Sequence, residues 1–187
     1  PGPVVRYGAP FAKLAMNLAM ATTVGTLVLS AYAANEQERL RLAPVASWSA
    51  ALWVLAGAVN FVMTYLSVSG SEISYGQSFS DSLWLFGTQI ELGVLLVWNL
   101  GIAFVLSLTT LAFVGRRMTA INAAIAIAGL YPLAESGHAS SDAGHALAVN
   151  SLLMHLVGIS IWVGGLIALY VVFNSVSDRS GVLVSRY

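Results

Sequence analysis

The sequence predicts an all-α fold, a polytopic transmembrane helical bundle of five spans, and three observations predict it. Of its 187 residues 58% are hydrophobic and only 9% are charged, where a soluble domain carries about 25% charged residues. The mean hydropathy is +0.81. Five apolar runs are each long enough to cross a hydrocarbon core of about 30 Å, which takes roughly 17–25 helical residues. Runs of alternating polar and apolar residues are missing, and the abundance of Ala, Leu and Met favours helices over a spanning barrel.

The first run, Pro10–Ala34, carries Lys13, Asn17 and Met20 at helical spacing with Met16 alongside. The second, Val45–Ser69, places Asn60, Thr64 and Ser67 in its latter half, with Met63 beside them. The third, Gln89–Val114, has Thr88 and Glu91 near its start, and the fourth, Met118–Ala134, is the shortest. The fifth, Ala146–Asn174, carries Ser151, His155, Gly158, Trp162 and Gly165 at a spacing of three to four. Small residues let a neighbouring backbone approach, so this face is expected to point into the bundle and His155 to face protein rather than lipid.

Orientation follows from the basic residues of the short loops. Arg39, Arg41, Arg116, Arg117, Arg179 and Arg186 fall on one side, and Arg6 and Lys13 on the other. Six against two puts the first terminus outside, and with it the acidic loop of Glu72 and Asp81 and the loop holding His138 and His145. Both ends read as cut, since the chain lacks an initiator Met and a signal-peptide pattern and stops where another span could begin. Residues 1–187 are therefore expected to form a single transmembrane domain that is a fragment of a longer chain.

The three histidines, His138, His145 and His155, are the whole supply and lie within eighteen positions. His155 sits about 14 Å below the outer surface by helical rise. Met16, Met20, Met63, Met154 and Glu91 fall in the same outer half. Intramembrane ionisable groups are functional candidates because an unpaired one costs about 2.5–3.5 kcal/mol at a helix centre. With no cysteine in the chain, His and Met are the natural ligand set for copper, joined by a carboxylate for the oxidised ion. His145 and His155 are about 15 Å apart along a straight helix, so they are stations on a path or separate sites rather than ligands of one ion.

Each of these residues has a plainer reading beside the metal one. A lone membrane histidine often makes an interhelical hydrogen bond, and methionines in spans usually fill gaps. Loop histidines need have no specific role. Glu91 could pair with Lys13 or stabilise its own helix start, and Trp48, Trp53, Trp84 and Trp162 read as interface anchors or packing. The joint placement in one leaflet favours metal binding. A net charge of zero gives no field for nucleic acid. The chain lacks a phosphate-binding loop, which argues against an ATP-driven pump, and it is not expected to be an enzyme.

The stretch Gly137-His138, Gly144-His145, His155-Leu156 and Trp162-Val163-Gly164-Gly165-Leu166 resembles the signature region of the copper resistance protein D (CopD) family. The resemblance is strongest over residues 130–187, and the closing Val184-Ser185-Arg186-Tyr187 resembles the run into the next span. It implies copper uptake or delivery at the bacterial inner membrane, with His138, His145 and His155 as the histidines of interest. In actinobacterial relatives such a domain precedes one similar to the cytochrome oxidase copper-assembly factor CtaG. That makes a C-terminal CtaG-like domain, or cytochrome oxidase itself, the expected partner beside the lipid bilayer. The alternatives are a haem- or quinone-linked redox subunit, which needs two deep facing histidines, and a structural or assembly subunit of a respiratory complex.

Overall fold

A computed structural model describes residues 2–74, 76–136 and 145–173. They form seven helices: α1 (Pro3–Tyr32), α2 (Glu36–Ser69), α3 (Gln77–Gln89), α4 (Glu91–Ala112), α5 (Arg116–Ala128), α6 (Tyr131–Ser136) and α7 (His145–Phe173). Five spans long and apolar enough to cross a membrane result, α5 and α6 together making the fourth.

The short links are built by local chemistry. Between α1 and α2, Asn35 and Glu38 form a capping box: Asn35 Oδ1 accepts from the Glu38 amide at 3.0 Å, and the Glu38 carboxylate accepts from the Asn35 amide at 2.6 Å. α2 ends at Gly70, whose φ of +66° is the left-handed conformation that closes a helix.

Two elements depart from the expected spans. The segment expected as an acidic loop contains α3, which lays Phe79, Leu83 and Phe86 against α2. Phe86 lies 5.3 Å from the Phe61 ring and Phe79 meets Tyr65 edge-on at 5.5 Å, distances typical of aromatic pairs. The chain then breaks at Ile90, and Gly93 sits so close to the Phe86 carbonyl that a Cβ there would strike it. The fourth span is likewise interrupted at Gly129 and Leu130, and Pro132 follows in the first turn of α6, where its missing N–H costs little.

α1 packs along α2 and α7, and α2 along α4. The central core joins Met16, Met20, Val24 and Leu27 of α1 to Ala46, Ala50 and Trp53 of α2, Ala103 and Leu106 of α4, and Ala123 and Ala126 of α5. Leu29, Leu42, Ala168 and Leu169 close one end, beside the arginines of the 33–41 segment. Val5, Tyr65, Leu66, Phe86 and Leu96 close the other.

The polarity is arranged for lipid. Leu14, Leu18, Leu52, Leu55, Trp98, Phe104, Leu108 and Leu111 are exposed, while Thr23, Thr26, Asn60, Asn99, Thr110, Asn122 and Ser160 are buried. Such a surface exceeds the apolar patches a soluble monomer tolerates and is what a helix bundle turns to hydrocarbon. Inside, polar groups pair across helices, as expected where apolar contact alone does not drive association. The Thr23 and Ser49 hydroxyls are 2.9 Å apart, and Ser47 donates to the Ser107 carbonyl at 2.8 Å. The chain is a multi-pass membrane protein.

Candidate functional site

The ligand candidates divide between the inside and the outside of the bundle. Met16 and Met20 are almost fully buried, at 1% and 2% exposure. Their i, i+4 spacing puts both on the face of α1 that meets α2, and Met16 abuts Gly57 there. Beside them Asn17 Oδ1 is buried without a hydrogen-bond partner. Met63 is half-buried against Gly8, in the aromatic cluster at the Glu91 end.

His155 and Met154 take the opposite course. Leu153, Leu156 and Val157 turn toward the central core, so the two residues between them turn away. Met154 is 74% exposed, and His155, Ser151, Gly158 and Trp162 share its outward side. The expectation that this face points into the bundle therefore fails within the chain. The error is one of phase: the buried small residues of α7 are Ser160, Gly164, Gly165 and Ala168, about a third of a turn away. Gly164 and Gly165 lie directly on Gly25 and the Ala21 carbonyl of α1, where any Cβ would collide.

Glu91 is exposed in the first turn of α4, where its charge complements the helix dipole. α4 has no substantial packing against α7. Glu91 and His155 thus sit on helices that do not pack on each other, each exposed, while Met16 and Met20 are buried within the core. Among the described residues no group of three or more His, Asp or Glu side chains could hold a metal ion. His145 opens α7, its side chain lying outside what is described, and His138 lies outside the described residues.

Two asparagines that the sequence reading passed over, Asn99 and Asn122, organise the bundle. Trp53 Nε1 donates to Asn99 Oδ1 at 2.8 Å, and Asn99 Nδ2 donates to the Gly129 carbonyl at 2.9 Å. One carboxamide thereby ties α2 and α4 to the break in the fourth span. A break at membrane depth is tolerated where neighbours satisfy the freed backbone, and Asn99 does so here. Asn122 of α5 bonds to Thr109 of α4 at 3.0 Å. Both asparagines carry the signal of a polar side chain amid an apolar run. Asn122 lies outside the half in which the candidates were sought, whereas Asn99, as far into its span as Met20 is into the first, lies within it but is neither ionisable nor a soft metal ligand.

The sequence profile of the copper resistance protein D-like, N-terminal domain matches residues 4–149. The chain belongs to the copper resistance protein D-like family. The match runs through the first four spans and the loop of His138 and His145, and it stops before His155. The first four spans, which lie largely outside the stretch of strongest resemblance, thus fall within the matched region. The chain is thereby related to copper resistance, and copper is the metal against which its donors are weighed. No curated protein and no solved structure matches it.

Proposed function

We propose that this copper resistance protein D-like chain moves copper across, or delivers it at, the bacterial inner membrane, without enzymatic chemistry. The observation that carries the reading is that the family match takes in His138 and His145 in a chain with no cysteine. These imidazoles capture the ion in an extracytoplasmic loop, an orientation supported by the six arginines of the opposite side.

Two ligand groups lie beyond that loop. Met16 and Met20 present buried thioethers beside the unpartnered Asn17 Oδ1. All three are acceptors, and soft sulfur suits the reduced ion. Met154 and His155 offer a second pair on the exposed side of α7, which needs donors from another helix to complete a site. Met63 and Glu91 offer further donors at the end of the bundle where α4 begins. A CtaG-like domain or cytochrome oxidase is the proposed receiver.

The test is to purify the protein from copper-supplemented cells and combine elemental analysis with an absorption spectrum. Bound copper without a haem Soret band is the expected result. A haem spectrum supports the redox-subunit alternative, and neither metal nor haem under saturating copper removes the copper reading.

A further inference from the structure

At the arginine end of the bundle a small, partly open cavity of about 10 Å³, measured for the centre of a water-sized sphere, is lined by Ser30 of α1, Arg39 of α2, Thr110 of α4 and Thr119 and Asn122 of α5, with apolar walls. That is the space of about one water molecule. Two of its lining groups lack partners: Arg39 Nε and Asn122 Nδ2 are both buried without a hydrogen bond. Asn122 is only 1% exposed. The rest of the guanidinium is held in place, since Arg39 Nη1 donates to the Ala34 carbonyl at 2.8 Å.

We propose that this cavity binds one water molecule that links the Arg39 guanidinium to the Asn122 carboxamide and joins three helices, α2, α4 and α5, at that end. The hydrogen-bond inventory selects the ligand. Thr110 spends its hydroxyl hydrogen on the Leu106 carbonyl at 2.7 Å, and Thr119 faces the Val114 carbonyl at 3.4 Å. Both hydroxyl oxygens therefore offer lone pairs to the cavity. The site presents donors from Arg39 and Asn122 together with acceptors from the two threonines. A cation is repelled by the guanidinium, and an anion is repelled by the lone pairs. Water alone accepts from the first pair and donates to the second.

The amide orientation does not alter this choice. The Thr109 hydroxyl has one hydrogen and two acceptors in reach, Val105 O at 2.9 Å and Asn122 Oδ1 at 3.0 Å. If the amide is turned, Nδ2 donates to Thr109 and Oδ1 is left unpaired instead. A water still satisfies it, by donating.

High-resolution diffraction from crystals of the intact protein, with and without a bromide soak, tests the proposal. A single peak about 3 Å from Arg39 Nε and from the Asn122 amide, with no anomalous signal after the soak, is expected. Nuclear magnetic resonance provides the second readout: the Asn122 side-chain amide, assigned by its loss in Asn122→Leu, shows an exchange-independent cross-peak to a long-lived water. A bromide anomalous peak at that position overturns the assignment in favour of an anion. A cavity closed by direct contact between Arg39 and Asn122, with no water cross-peak, overturns it altogether.

Discussion

Asn99 ties α2, α4 and the break in the fourth span together through one side chain. Its two amide ends are both occupied, by the Trp53 indole and by the carbonyl left free at Gly129. Asn99→Leu keeps the volume but orphans one buried donor and one buried acceptor, each costing about 1–3 kcal/mol. Thermal unfolding in detergent should show a markedly lower Tm for Asn99→Leu than for Trp53→Phe, which spares the bond to Gly129. Equal, small shifts for both would mean that lipid or water takes over these bonds. His155 is the reverse case. Because it is exposed, His155→Ala and His155→Gln should both leave expression and Tm unchanged, while copper-dependent function is lost in both. Full function in His155→Gln would make it a hydrogen-bonding residue and end its candidacy as a ligand.

At the scale of elements, the closest helix contact is that of α1 with α7, where backbone meets backbone at Gly25, Gly164 and Gly165. Gly164→Ala drives a methyl into the Ala21 carbonyl, and forced overpacking of this kind costs about 1–3 kcal/mol. Gly158→Ala, on the same helix with nothing within 4 Å, is the control and should be neutral. A comparison of the two Tm values decides the point, and equal stability would show that α7 does not press on α1 in this register. The pair also shows what the sequence could and could not say. The glycines of α7 announced close packing, but their phase was assigned by extending the His155 stripe to Gly165, and a helix apolar on nearly every side gives no moment to correct that error. Span hydropathy located α1, α2, α4 and α7 because apolar length alone identifies them. It passed over α3, whose Phe79, Leu83 and Phe86 spacing was legible but lay among serines. The break at Gly129 was signalled by Gly129 and Pro132, yet the surrounding apolar run masked it. Met16 and Met20 were grouped with His155 by depth, and depth carries no information about which way a side chain turns.

For the whole molecule, sidedness and metal binding are the linked claims. A cysteine placed at Ser140 should react with a membrane-impermeant thiol reagent from outside intact cells, and one at Gly115 should not. The opposite labelling would invert the assignment made from the six loop arginines and move the histidine loop to the cytoplasmic side. The central claim is that the chain binds copper through the loop that lies within the family match. Its most direct test is a copper-affinity titration of the purified protein, wild type against the His138→Ala/His145→Ala double variant, from mildly acidic to neutral pH. Imidazole binds metal only when neutral, and its ordinary pKa is about 6.5. The wild type should therefore gain affinity as pH rises through that value, and the variant should fall furthest behind at neutral pH and converge with it in acid. Identical affinities for the two proteins at every pH would contradict the account.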